Sequence, residues 1–285
     1  MDSPAKPDVA AVGTSLTAAR EKQELLLRRL RGLDSLLVAF SGGADSAYLA
    51  WAAHGALGKR ALAVTALSPS FSAYDCEQAA GFVQQVGLRH EFMETREVEN
   101  PLYVANNADR CYHCKAELFT ELNKMAKTRR FGAVAYAINA DDPRDFRPGH
   151  HAAAEHNVLA PLLDVDLHKT EIRELSRRAG LPTWDRPASA CLASRIPYGT
   201  PVTPENLGVV ERGEAILREL GFRQFRVRYH QDLARIEIAP DELPRALDPE
   251  MARVLAERFK RIGFTYVTLD LEGYRQGSLN AALKK

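Results

Sequence analysis

Cysteine is scarce in this chain: there are four in 285 residues, Cys76, Cys111, Cys114 and Cys191. A disulfide-stapled scaffold is thereby excluded. Charge of one sign is lacking too, since 38 basic against 37 acidic side chains leave a formal net charge of +1. That balance argues against capture of nucleic acid or an anionic membrane by the overall field, though not against a local basic site. No apolar run approaches the ~20 residues that span a bilayer. The opening residues carry no basic segment followed by an apolar stretch of the secretory kind. A cytoplasmic location with reduced thiols is expected, with no nucleic acid and no membrane as partner. What is present, 46% hydrophobic and 26% charged residues, is ordinary for a folded chain with a sizeable core and excludes disorder, collagen-like and coiled-coil classes for most of its length.

Residues 1–13 hold small residues and two prolines without periodicity, and are expected to form a mobile tail. A helix-like pattern follows from Ser15 to Arg31. The short apolar run Ser35–Phe40 fits a buried parallel strand. It ends in Ser-Gly-Gly-Ala-Asp-Ser and passes into a helix over Ala47–Ala56. Strands at Arg60–Leu67, Arg89–Met93 and Gly132–Ile138 alternate with helices at Tyr74–Val86 and 114–128. Such alternation implies βαβ units and an α/β fold with a doubly wound, mostly parallel sheet. Lys169–Ala179 is a helix stopped by Gly180 and Pro182, and 183–203 is a long irregular segment of the kind often used for function. From Pro204 the pattern changes: helix, two strictly alternating strands (Arg223–Tyr229 and Leu233–Ala239), helix 249–261, and a last strand Phe264–Leu271. The expected organisation is a nucleotide domain over 14–203 and a smaller C-terminal α+β domain over 204–285.

The segment Ser41-Gly42-Gly43-Ala44-Asp45-Ser46 lies between an apolar strand and a helix. Its glycines permit a tight turn and close approach to a ligand. Successive N–H groups and the helix N-terminus favour an anion, and Asp45 beside phosphate implies an intervening Mg²⁺. The segment lacks the spacing of a Walker A loop and resembles the pyrophosphate loop of the N-type ATP pyrophosphatase superfamily, the PP-loop or adenine nucleotide alpha hydrolase-like enzymes. Those enzymes split ATP between the α and β phosphates and activate a substrate as its adenylate. The carboxylates in Asn139-Ala-Asp141-Asp142 follow a strand, on the ligand side of an open sheet, and Lys169 starts a helix from which it reaches phosphates. Turn formation by the two aspartates and a surface role for the lysine are the plain alternatives.

Arg110-Cys111-Tyr-His113-Cys114-Lys115 puts two thiols on one side of a helical turn. With Cys191, 77 residues further on (191 − 114), the set suits a 4Fe–4S cluster with an open iron. It also suits zinc with His113 as fourth ligand, and a redox dithiol is a third choice. Cys191 itself sits in Ala-Ser-Ala-Cys-Leu-Ala-Ser-Arg195-Ile-Pro-Tyr198-Gly. A basic neighbour such as Arg195 would lower its pKa and suit it to be a nucleophile or a cluster ligand. Cys76, alone in a helix, reads as a packing residue. In the C-terminal part Arg226 and Arg228 share one strand face, and Arg235 and Glu237 point together on the next strand. Such a face either holds a phosphate or is a solvated outer surface.

Together with the PLLDVDLHKTEIR run, the WDRPASACLASRIPYGTPVT signature and the terminal EGYRQGSLN, these motifs resemble the LarE family over residues 15–280. LarE proteins are ATP-dependent sulfur transferases of nickel-pincer nucleotide biosynthesis. The resemblance implies that ATP adenylates the carboxylates of pyridinium-3,5-biscarboxylic acid mononucleotide and that sulfur displaces AMP, giving thiocarboxylates. It implies Ser41, Gly42, Gly43, Asp45, Ser46, Asp142 and Lys169 for Mg²⁺–ATP. Arg226 and Arg228, with Glu214 nearby and Arg195, would take the substrate and its phosphate. It offers two sulfur sources: a 4Fe–4S cluster held by Cys111, Cys114 and Cys191, or sacrifice of the Cys191 sulfur, leaving dehydroalanine. The presence of the Cys-x-x-Cys pair points to the cluster branch. Homo-oligomers, aided by helix 16–31, and hand-over to the nickel-inserting enzyme of the same pathway are further expectations. An amide-forming ligase resembling NAD synthetase or GMP synthetase would leave three cysteines without a role. A tRNA-thiolating enzyme should carry a basic RNA-binding extension, and a zinc-stabilised nucleotide-binding regulator would release no pyrophosphate.

Overall fold

The computed structural model describes residues 9–142, 149–187 and 190–275, with side chains from Leu16 onward. The helices are α1 (Val9–Arg31), α2 (Ala44–Leu57), α3 (Ala73–Val86), α4 (Pro101–Val104), α5 (Arg110–Arg129), α6 (Gly149–Glu155), α7 (Pro161–Asp164), α8 (Lys169–Arg178), α9 (Pro204–Glu219), α10 (Leu243–Ala246) and α11 (Pro249–Arg261). The strands are β1 (Leu36–Ala39), β2 (Ala61–Leu67), β3 (His90–Glu94), β4 (Ala133–Tyr136), β5 (Phe225–His230), β6 (Leu233–Ile238) and β7 (Tyr266–Leu269). Helix α1 starts at Val9, so residues 9–13 of the expected tail are helical, while residues 1–8 lie outside the described residues. No helix among the described residues is long and apolar enough to cross a membrane.

The chain divides into two compact units, each assembled from separated stretches. The first comprises residues 1–67, 73–95 and 115–188. Its sheet is parallel throughout, in the order β3-β2-β1-β4. The central strands β1 and β2 are runs of small and branched apolar residues because helices cover both faces; Leu36, Val38, Ala61 and Ala63 are all buried. Helix α2 is buried around much of its surface, at Ala47, Tyr48, Leu49, Ala50 and Ala53 among others. Together with Leu26 and Leu30 of α1 and Ile172 and Leu175 of α8, it forms the main core. From β1 the chain steps outward to β2 and β3, then returns to the other side of β1 as β4. The order therefore reverses between β1 and β4, and in open α/β sheets ligands bind at the carboxyl ends of strands at such a reversal.

The second unit comprises residues 68–72, 96–114 and 189–285. Its sheet pairs β5 with β6 antiparallel and β6 with β7 parallel. Thr203 caps α9, accepting from the Asn206 N–H at 3.2 Å, and Pro204 occupies the first helical position. Two apolar clusters fill this unit. One, with Val227, Ile236 and Phe259, lies under the small sheet. The other, with Tyr103, Leu192, Ala193, Ile196 and Leu207, packs against Cys114.

Candidate functional site

In the first unit the 41–46 loop stands at the strand-order reversal. Gly42 has φ +72°, and a Cβ there would meet Ala79 Cβ at 3.3 Å and Arg186 Nη1 at 3.5 Å, so both backbone conformation and space demand glycine. Ser46 Oγ accepts from the Ser41 N–H at 3.2 Å and donates to the Gly43 carbonyl at 3.0 Å, with the Ser41 hydroxyl 3.1 Å away. These bonds fix the turn from within.

Asp45, in the first turn of α2, accepts from Asn139 Nδ2 at 3.1 Å, which ties the loop after β1 to the loop after β4. Its other carboxylate oxygen is buried with no hydrogen-bond partner among the described residues. Burial lifts the Asp45 carboxyl above its ordinary range, against the pull of the Lys169 ammonium and the Asn139 amide; Asp142 adds to the rise. Asp142 is buried and accepts from the Asn139 N–H at 3.1 Å. The structure thus gathers Asp45, Asn139, Asp142 and Lys169. Asp141 does different work: its oxygens take the Lys169 N–H and His168 Nδ1, both at 2.8 Å, and so cap α8. A buried carboxylate oxygen with no partner among the described residues, beside a glycine-rich loop at a helix N-terminus and a lysine, suits a divalent cation with bound phosphates.

One residue to which the sequence motifs assign no role stands over this loop. Arg186 donates to the Gly42 carbonyl and to Asp75 at the start of α3. Its own carbonyl accepts from Arg173 Nη2 at 2.6 Å.

All three candidate metal ligands belong to the second unit. Cys111 and Cys191 are exposed and Cys114 is half-buried. They lie around two buried side chains, Tyr103 and Arg110. Burial, then the Cys191 and Cys114 thiols, raise the Tyr103 phenol, with the Ser70 hydroxyl working against them. Burial alone would lower the Arg110 guanidinium, but Cys191 and Cys111 hold it above its ordinary value. Arg110 is fixed by Asn106 Oδ1 and by the Ala193 carbonyl at 2.9 Å. Asn106 in turn donates to the carbonyls of Pro197 and Thr200, each at 2.8 Å. The basic neighbour of Cys191 expected from sequence was Arg195. Its Nε and Nη2 instead go to Glu214 at 2.8 and 3.1 Å, and its Nη1 goes to Ser194 Oγ and to backbone carbonyls including that of Cys191.

Two of these thiols stand one turn apart on α5, and the third lies in the same unit. Among the described residues no group of three or more His, Cys, Asp or Glu side chains that could hold a metal ion is gathered, which favours neither the cluster nor the zinc alternative with His113. His113 faces Asp109 at 3.3 Å.

The two arginines of β5 differ sharply. Arg228 is 2% exposed, paired through two bonds to Glu237 at 2.9 and 2.8 Å, and donates to the Ser194 carbonyl at 2.7 Å. Arg235 shares Glu237. The face is therefore not a solvated surface. Arg226 is also buried, at 7% exposure, but stacks on the Tyr274 ring at 4.8 Å and has no carboxylate partner among the described residues. Burial, then the nearby Arg195 and Arg228 charges, lower its pKa. It is a confined cation with no ion pair among the described residues, though the Glu237 charge pulls its pKa back up. Glu214, by contrast, is fully engaged by Arg195 and by the Val227 N–H at 3.3 Å.

A parallel sheet with a Ser-Gly-Gly-x-Asp-Ser loop at its strand-order reversal defines a PP-loop nucleotide domain, and residues 26–142 match the NAD synthase family model. The chain is similar to the pyridinium-3,5-bisthiocarboxylic acid mononucleotide synthase of Lactiplantibacillus plantarum, at 35% identity over 93% of this chain and 95% of that protein. It is also similar to uncharacterized proteins of Synechocystis sp. (45% identity, 91% and 97% covered) and Methanocaldococcus jannaschii (27%, 84% and 90%). The chain belongs to the LarE family, and with it to the ATP-utilising PP-loop enzymes.

Proposed function

We propose that this protein is an ATP-dependent sulfur transferase acting on pyridinium-3,5-biscarboxylic acid mononucleotide. ATP binds with Mg²⁺ at the 41–46 loop. The loop N–H groups and Lys169 hold the phosphates, and Asp45 and Asp142 hold the cation. A substrate carboxylate attacks the α-phosphorus, pyrophosphate leaves, and an acyl-adenylate forms. A sulfur nucleophile then adds to the acyl carbon and AMP departs, so that a carbon–sulfur bond replaces a carbon–oxygen bond. Repetition on the second carboxylate gives the bisthiocarboxylate for which the Lactiplantibacillus relative is named.

Residues 204–285 serve as the substrate-binding and oligomerising domain in this reading. Arg226 takes the substrate phosphate, because it is the buried cation on that sheet without a carboxylate. Arg228, Arg195 and Glu214 keep it in place through their own pairs. Cys111, Cys114 and Cys191 would hold a 4Fe–4S cluster, which when bound supplies an exchangeable sulfide at its open iron. Arg110 balances the negative charge of the thiolates around it.

What supports sulfur transfer over amide formation is the presence of three thiols in one unit, Cys111, Cys114 and Cys191, whose charges bear on the buried Tyr103 or Arg110. An amide-forming ligase has no use for them. The test is anaerobic turnover with ATP and the biscarboxylate, comparing sulfide with ammonia as nucleophile source. Thiocarboxylate and AMP formed only with sulfur present support the reading; amide formed from ammonia contradicts it. Iron and sulfide analysis, with the mass of the chain after turnover, separates the two sulfur sources. Iron with unchanged chain mass supports the cluster, and a chain lighter by one H₂S supports sacrifice of Cys191.

A further inference from the structure

Tyr103 is 1% exposed, yet its hydroxyl has no hydrogen-bond partner among the described residues. Its ring is packed among Leu192, Ala193 and Ile196, with Cys114 against the same cluster. A phenylalanine would fill that space equally well and would leave no polar atom to satisfy. The nearby Ser70 hydroxyl lowers the phenol's pKa, but its own proton goes to Glu97 Oε1 at 2.9 Å, so it could only accept from Tyr103, and no bond of proper hydrogen-bond geometry joins them. A buried polar group left unbonded in the resting protein needs a reason. Packed against the same apolar wall is the Cys114 thiol, and Cys191 directly precedes Leu192 of that wall.

We propose that the Tyr103 hydroxyl donates a hydrogen bond to the anionic sulfur handled at Cys114 and Cys191, holding it for attack on the acyl carbon. This rests on the sulfur-transfer reading above. The phenol keeps its proton throughout, so no group is transferred. The apolar surroundings strengthen a bond from a neutral donor to a charged acceptor. Water competes poorly for this bond, because the side chain is 1% exposed.

The test is Tyr103→Phe in the full chain, prepared without oxygen and assayed with ATP and the biscarboxylate. Thiocarboxylate formation is expected to fall about 10- to 100-fold, the range of one hydrogen bond to a charged group. Acceptor-dependent pyrophosphate exchange, which reports adenylation alone, should be unchanged. The melting temperature without ATP or acceptor should equal or exceed that of the wild type, since an unbonded buried hydroxyl has been removed. Undiminished thiocarboxylate formation would overturn the proposal. So would a lower melting temperature with both half-reactions falling together, the signature of a structural hydrogen bond. If the wild type itself makes AMP but no thiocarboxylate, it is the sulfur-transfer reading that fails.

Discussion

The Arg186 guanidinium donates from Nη1 to the Gly42 carbonyl at 2.9 Å and from Nη2 to Asp75 Oδ1 at 3.0 Å. One side chain thus fixes the turn after β1 against the first turn of α3. Holding the Gly42 carbonyl fixes a peptide plane of the loop whose N–H groups would bind an anion. Arg186→Gln should therefore raise the KM for ATP by about tenfold or more, the value of a charged hydrogen bond. Asp75→Asn, which only loosens the guanidinium, should have a smaller effect in the same direction. Steady-state kinetics with both variants check this; an unchanged KM would contradict it.

Asp45 pairs a high functional demand with a structural cost. Its carboxylate is raised by burial and one oxygen has no partner among the described residues. Asp45→Asn should abolish Mg²⁺–ATP turnover while leaving the melting temperature unchanged or higher. Melting curves alongside AMP release test both halves, and a clear loss of stability would point to a purely structural aspartate.

Arg226 and Arg228 are two residues apart on β5 but should respond oppositely. Removing Glu237 strands the buried Arg228 charge, and Glu237→Ala should destabilise by about 3–5 kcal/mol. Arg226→Met removes a buried cation that lacks a carboxylate and should not lower stability. It should instead weaken binding of the phosphorylated acceptor by about 10- to 100-fold. Denaturant titration and acceptor KM separate the two.

Thr65 Oγ1 donates to the Phe40 carbonyl at 2.8 Å, so His90 Nε2, also at 2.8 Å, must be the protonated nitrogen and the donor to it. Burial holds the His90 pKa below its ordinary value, with Glu91 opposing. The folded state therefore resists protonation. Its contribution is complete above the unfolded value of about 6.5 and is lost as pH falls below it. Melting temperature measured from about pH 7.5 to 5 should decline more steeply for the wild type than for His90→Gln, whose amide retains the donor.

The parallel sheet and the 41–46 loop were legible because their signals are local. Three short apolar runs and the mixed segment 89–93 alternate with helix formers, and paired glycines follow the first run. The C-terminal hairpin was legible from strict alternation. The partners of individual side chains were not. Arg186 reaches a carbonyl 144 residues away and Arg110 one 83 residues away, and no periodicity reports such bonds. For the same reason Arg195 passed for the cation beside Cys191, although Glu214 takes its guanidinium. Asp141 and Asp142 were indistinguishable as neighbours; only the bonds to α8 assign the first to capping. Tyr103 carries no motif at all, and its interest lies in a bond that the fold leaves unmade.

The most direct test of the central claim follows the oxygen and the sulfur of the acceptor. The protein, made without oxygen, is supplied with ATP, Mg²⁺, a sulfide source and the biscarboxylate mononucleotide, and the acceptor is weighed by mass spectrometry. The account requires sulfur to replace oxygen on each activated carboxylate, with AMP released in step. AMP accumulating while the acceptor returns with all its oxygens would contradict it.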